Sequence, residues 1–120
     1  MGLELREQVE IVSGVGAPSI VSGTKTVSGD NALIAAPGAG VRIVVSAVTI
    51  QNESATPTTM VLKSGSTAKF RWLEQAQGDG LVLNFAPGRE WRLGTNEALN
   101  LNLSGANSCG YNVVYWTETV

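Results

Sequence analysis

One segment near the end of the chain alternates strictly between apolar and polar residues, and this alternation constrains the fold more than any other feature. Its apolar positions are Leu99, Leu101 and Leu103, and the polar positions between them are Asn100 and Asn102. Successive side chains of a β-strand point to opposite faces, whereas an α-helix would scatter these leucines around its axis. The segment therefore predicts a strand with one face in the core and the other in water or against a partner.

Similar short apolar runs recur along the chain, and glycine-rich breaks separate them. The chain has 14 glycines among 120 residues, and glycine supplies the positive φ of tight turns. The predicted strands span residues 19–27, 31–35, 41–51, 57–63, 67–73, 80–86, 97–103 and 109–118. Residues 41–50 are apolar on both faces over much of their length, which is typical of a strand in the middle of a sandwich or under another subunit. These features predict an all-β fold, a single antiparallel β-sandwich that is jelly-roll-like, with about eight strands.

The first residues follow a different pattern and are predicted as an N-terminal arm, residues 1–18, ahead of the β-sandwich domain, residues 19–120. Apolar residues alternate there with mainly charged or amide residues, and a hinge with two glycines and a proline follows. The apolar positions are Leu3, Leu5, Val9 and Ile11. This alternation predicts an extended arm that adds a strand to a neighbour. A frayed terminus and a first strand of the protein's own sheet are the alternatives.

The composition excludes most catalytic and metal chemistry. The chain has no histidine and a single cysteine, Cys109, so it lacks the residues for Ser-His-Asp or Cys-His catalysis and for zinc sites built on His or Cys. The spacing of its ten acidic residues selects no pair for general acid–base work. We therefore expect a protein that is not an enzyme and has no cofactor and no metal. Cys109 is expected to be a small buried apolar side chain.

Charge and hydropathy also exclude two classes of partner. The formal net charge of −2 gives no basic footprint for nucleic acid. No apolar run approaches the ~20 residues that span a bilayer. The N-terminal sequence has no apolar segment typical of a signal peptide, so synthesis in the cytoplasm is expected.

The low charge favours self-association. Charged residues make up 15% of the chain, against a typical share of about 25%. A weakly charged surface costs less to desolvate against another copy, and residues 1–10, which net −2, oppose a basic segment at residues 63–92. Such opposite signs steer one subunit onto another, although a solvated strand face would give the same pattern.

The aromatic residues divide into core and contact candidates. Trp72 is in phase with Phe70 and is assigned to the core. Trp91 lies in a predicted loop between Arg89 and Arg92, where an aromatic ring with basic neighbours is typical of a protein contact. The predicted partner-contact residues are therefore Leu3, Leu5, Val9, Ile11, Arg89, Trp91 and Arg92.

About two-thirds of the chain, from residue 40 to 117, resembles the small β-sandwich virion proteins of tailed bacteriophages. The segments that carry the resemblance are Leu62–Ala68, Gly80–Phe85, the Trp91 loop, Gly94–Leu103 and Cys109–Trp116. The resemblance implies a capsid decoration (cement) protein, a homo-oligomer and commonly a homotrimer, bound to the outer surface of the assembled head. There it would stabilise the capsid by bridging major capsid subunits after synthesis in the host cytoplasm. A structural or receptor-binding module of a tail fibre or baseplate is the alternative, followed by a carbohydrate-binding sandwich.

Overall fold

The computed structural model describes residues 17–120, which form nine β-strands. The strands are β1 (Ser19–Lys25), β2 (Gly29–Ile34), β3 (Val41–Asn52), β4 (Thr58–Ser64), β5 (Thr67–Glu74), β6 (Gly80–Asn84), β7 (Trp91–Arg92), β8 (Leu99–Leu103) and β9 (Cys109–Thr119). All of their pairings are antiparallel. The predicted all-β class and the eight predicted strands are confirmed, with β7 as an additional strand of two residues.

Two sheets make up the sandwich. The β3/β9 sheet has the order β1-β9-β3-β6, with β7 also paired to β3, and the β4/β8 sheet has the order β2-β8-β4-β5. Consecutive strands alternate between the two sheets for most of the chain, which is the double Greek-key connectivity of a jelly roll. The prediction of a jelly-roll-like sandwich is therefore confirmed.

The core lies between the two sheets and contains the alternating leucines of β8. Leu99, Leu101 and Leu103 are at most 1% exposed, while Asn100 and Asn102 point outward and are half-buried. From the other sheet, β3 and β9 contribute further fully buried aliphatic residues. Burying a leucine or isoleucine stabilises the fold by roughly 1.5–3 kcal/mol, so this layer sets the register of both sheets.

Strand β3 occupies the middle of its sheet, as its apolar pattern predicts. It pairs with β9 on one side and with β6 and β7 on the other. The register with β9 shifts between Val45 and Ala47, so the strand changes phase at Ser46. Because of this bulge, Val44 and Ala47 both point to the outside of the sheet, and Val44 is nevertheless fully covered.

Cys109 begins β9 and is fully buried, which confirms its assignment as a small buried side chain. Burial raises the pKa of the Cys109 thiol to about 11. The thiolate is the reactive form of cysteine, so this thiol is unreactive in the folded protein.

Candidate functional site

The outer face of the β3/β9 sheet carries few charged side chains in its middle. The strand register places its side chains in rows that cross all four long strands. One row is Ile20, Val114, Ala47 and Asn84, and the next is Ser22, Asn112, Thr49 and Val82. Ile20 and Val82 are 74% and 62% exposed, and within residues 17–120 these two rows carry no charged side chain. We call this surface the outer face.

A cluster of ion pairs within residues 17–120 lies at one end of the outer face. There the carboxylate of Glu118 accepts hydrogen bonds from the guanidinium groups of Arg42 at 2.7 Å and Arg92 at 3.0 Å. Glu90 lies 3.5 Å from the Arg92 guanidinium on its other side. Arg92, a predicted contact residue, is thus already paired within its own chain, whereas Arg89 is exposed. Their contact with a partner stays a prediction.

The opposite sheet presents a different outer surface. On the β4/β8 sheet, Asn102 donates to the carboxylate of Asp30 at 2.7 Å, and the Lys63 ammonium lies 3.1 Å from the same group. These contacts lower the pKa of Asp30. The Asp30, Lys63 and Asn102 side chains are thus engaged with one another, and the outer face, with its uncharged middle rows, is the better candidate for contact with another protein.

The predicted loop position of Trp91 is wrong. Trp91 lies in β7, pairs with Val45 of β3 and is only 7% exposed. Its ring meets the ring of Phe70 edge to face, with 5.3 Å between ring centroids. Trp91 therefore belongs to the core, and an exposed contact by its ring is not available in this conformation. The arm residues Leu3, Leu5, Val9 and Ile11 lie outside the described residues, and their role stays a prediction.

A shallow groove of about 550 Å³ crosses the outer face near the end of β3. Gly80 and Gly110, which both pair with Gln51 of β3, contribute only backbone to its floor, which lowers the surface there. The polar side chains on its walls are those of Ser22, Thr24, Thr49, Gln51, Glu53 and Asn112. Sequence reasoning missed this groove, because two glycines that are distant along the chain, Gly80 and Gly110, meet only through the register of the sheet.

A second surface lies where the two sheets meet along β5 and β6, which we call the open side. Phe70 and Trp72 of β5, with Leu83 of β6 and Phe85 after it, are all only partly buried there. The rings of Phe70 and Phe85 lie 6.0 Å apart, centroid to centroid. Half-exposed apolar side chains on two neighbouring edge strands are unusual in a β-sandwich, because sheet edges are normally protected from pairing with another chain.

Glu74 ends β5 as a buried carboxyl group. The indole N–H of Trp72 donates to Oε2 of Glu74 at 2.7 Å, while Oε1 has no hydrogen-bond partner within residues 17–120. Burial raises the pKa of Glu74, and the nearby Asp79 acts in the same direction. The folded state therefore holds this proton more tightly than the unfolded chain does.

We expect Glu74→Gln to stabilise the protein most at alkaline pH. When folding raises the pKa of a carboxyl group, the protonated group stabilises the folded state, and this contribution is complete below the unfolded pKa. The contribution is lost as pH rises through the folded pKa. Glutamine keeps an acceptor for Trp72 and removes the buried charge, with an expected gain of about 1 kcal/mol at pH 8. Urea unfolding at pH 4, 6 and 8 checks this. An equal effect at all three pH values would contradict a pKa of Glu74 that folding raises.

The sequence matches no protein-family model and no curated protein. Among solved structures, the fold is similar to a chain from Bacillus endospore appendages, described as a novel family of disulfide-linked pili. That chain has 16% sequence identity and a TM-score of 0.56, and the alignment covers 92% of each chain. This likeness shows that the two chains share the β-sandwich fold.

Two weaker likenesses carry no argument about this protein. One is to a chain of the VLP of the extra small virus of the giant freshwater prawn Macrobrachium rosenbergii, at 12% identity and a TM-score of 0.47, covering 88% of this chain and 81% of that chain. The other is to PirA, at 13% identity and a TM-score of 0.36, covering 88% and 95%.

Within residues 17–120, none of the segments forms an apolar helix of the length a membrane crossing requires. The same part of the chain brings no three metal-ligating His, Cys, Asp or Glu side chains together. The candidate sites described above are two surfaces: the outer face with its groove, and the open side.

Proposed function

We propose that this chain is a non-enzymatic structural protein of a virion, a capsid decoration protein that binds the outer surface of an assembled bacteriophage head. The observation that carries the proposal is the outer face, whose two middle rows carry no charged side chain but include two strongly exposed aliphatic side chains, Ile20 and Val82. Such a surface is suited to burial against protein. The sequence resemblance to small virion proteins of tailed bacteriophages supports the same function.

The size of the outer face indicates how it would act. Its four long strands, of 7, 11, 12 and 5 residues, cover about 600 Å² at ~16 Å² per strand residue. A stable interface buries ~800 Å² on each partner. The outer face alone therefore gives a weak contact, and firm attachment requires several contacts for each subunit.

Multiple weak contacts suit a protein that bridges capsid subunits. A homo-oligomer, for which we propose a trimer, engages several major capsid subunits at once, and linked contacts add through effective concentration. A protein that binds only the expanded lattice stabilises that lattice by mass action. Bridging of this kind requires no catalytic group.

We expect Ile20→Lys to weaken both self-association and attachment to heads. A lysine at this position brings a charge into an uncharged row of the outer face, and burying that charge without a partner is costly. The dissociation constant of the oligomer should rise at least about tenfold, or ~1.4 kcal/mol, as measured by light scattering over a concentration series. Occupancy on empty expanded heads of the phage that encodes the chain should fall in parallel.

Val27→Lys is the matched control for this experiment. Val27 is also a strongly exposed aliphatic residue, 61% exposed, but it lies in the connection between β1 and β2, outside the two rows of the outer face and outside the open side. The control should leave the oligomer and head binding unchanged. A wild-type protein that stays monomeric at high concentration and ignores empty heads would contradict the proposed function.

A second candidate function is a receptor-binding module of a tail fibre or baseplate, and the groove on the outer face favours it. The side chains of Ser22, Thr49 and Asn112 line the groove and make no side-chain hydrogen bonds within residues 17–120. Hydroxyl and amide groups that are not engaged elsewhere are suited to bind a sugar. Binding to an oligosaccharide array by a protein that ignores empty heads would favour this function over decoration.

A further inference from the structure

We propose that the open side binds residues 3–11 from a second copy of the chain as an added β-strand. This inference rests on the proposed function of a self-assembling structural protein and names the contact that links its copies. An extended segment that adds to a free sheet edge gains backbone hydrogen bonds, and its alternate side chains enter the space beside that edge.

The open side offers two free strand edges next to each other. Within residues 17–120, β5 pairs only with β4 and β6 pairs only with β3, so each strand has one edge without a partner. The turn at residues 75–79 joins β5 to β6 and is held by the Asp79 carboxylate, which accepts from the backbone N–H groups of Gln75 and Ala76 at 3.0 and 2.9 Å. Both free edges therefore lie on the same side of the sandwich.

The apolar pattern of the N-terminal segment matches what the open side lacks. Its apolar positions are Leu3, Leu5, Val9 and Ile11, all on one face of an extended chain. The aromatic rings of Phe70, Trp72 and Phe85 are partly exposed at the open side. An added strand would place its aliphatic face over these rings and complete the core there.

Charge favours the β5 edge in particular. Lys69 and Arg71 are exposed on β5, and neither forms an ion pair with another residue between 17 and 120. Residues 1–10 carry three glutamates and one arginine. The opposite charges favour association of this segment with β5, and added salt weakens their attraction.

The other open pair of edges, along β1 and β2, fits the segment less well. Its partly buried aliphatic residues are Val21 and Ile34, and neither β1 nor β2 carries an aromatic residue, since Tyr111 and Tyr115 belong to β9 in the interior of the sheet. Its charges are Lys25 and Asp30, and Asp30 is already paired with Lys63. The open side is therefore the better receptor for an acidic segment with an aliphatic face.

A second copy fits this site better than the chain's own segment. β1 begins at Ser19 on the far edge of the β3/β9 sheet, three strands away from β6. The chain's own linker would have to cross about 14 Å of the outer face, which is the surface proposed for contact with another protein. A strand from a second copy reaches the open side without crossing that face, and it adds the contact area that the outer face alone does not provide.

Cross-linking in the full-length protein tests this inference. One copy carries Gln8→Cys with a tag, the other carries Arg71→Cys without a tag, and a short bis-maleimide joins them after mixing. Native Cys109 is buried, with its pKa raised to about 11, so it contributes no background. We expect a tagged–untagged dimer, and at least about tenfold less of it when Thr24→Cys on β1 replaces Arg71→Cys.

Changes on the two faces of the segment complete the test. Leu5→Asp with Val9→Asp should lower the dimer yield at least about tenfold, because charges would enter the apolar space, and Glu4→Asp should leave the yield unchanged. Equal yields of the tagged–untagged dimer with Thr24→Cys and with Arg71→Cys would overturn the inference. A link that forms only within a single chain carrying both cysteines would overturn it too. If light scattering shows an oligomer but no link forms between Gln8→Cys and Arg71→Cys, this inference alone is overturned. If the wild-type protein is monomeric and does not bind heads, the proposed function is overturned as well.

Discussion

Trp91→Ala should lower the free energy of unfolding by about 3–5 kcal/mol, the range for removing a buried tryptophan. Trp91 is 7% exposed, pairs with β3 and packs edge to face on Phe70. Its removal leaves a cavity beside the open side and takes away one support of the aromatic rings there. For a chain of this length the melting temperature should fall by about 12–20 °C.

Trp116→Ala is the matched control for this change. Trp116 pairs with Val44 on the outer face and is only partly buried. Its loss should cost roughly half as much or less, since less surface returns to water. Urea and thermal unfolding of both variants measure the difference. Equal losses for the two tryptophans would place Trp91 outside the core.

Removing residues 1–16 should weaken attachment to expanded heads on the order of a hundredfold, the lower range for losing one of several linked contacts. The sandwich itself should remain folded, because the buried apolar residues of the described chain begin at Leu33. Occupancy on heads and the melting temperature are measured on the same preparations. Truncated and full-length proteins that occupy heads equally would contradict a role for the arm.

A full-length control separates the pattern of the arm from its length. Changing Leu3, Leu5, Val9 and Ile11 to serine keeps all 120 residues but removes the apolar face. This variant should behave like the truncated protein. Attachment at the wild-type level would show that the arm acts through something other than its apolar alternation.

The fold was predictable where one face of a strand is buried along its whole length. The leucines of β8 alternate without interruption, and a shift by one residue would turn Leu101 outward and Asn102 into the core. For such a strand, the sequence alone predicts both the strand and its buried face. The eight strands predicted from alternation and turns all form, and together they give the jelly-roll arrangement.

The positions that sequence reasoning missed depend on contacts between distant segments. β7 has only two residues, too few to show a period, and the charged neighbours Glu90 and Arg92 of Trp91 are typical of a loop. The groove arises only when the register brings Gly80 and Gly110, from different strands, to the two sides of Gln51. The open side likewise results from strand order, which a single sequence seldom determines.

The strand order also determines when the protein can fold during synthesis. β8 and β9 lie in the interior of their sheets, between β2 and β4 and between β1 and β3, yet the ribosome makes them after all the strands they join. The earlier strands must wait for partners more than 50 residues downstream, as with Ile50 and Tyr111. Pairing across such distances is slow and leaves edges uncovered meanwhile. A nascent chain of this protein therefore depends on rapid completion or on chaperones to avoid aggregation.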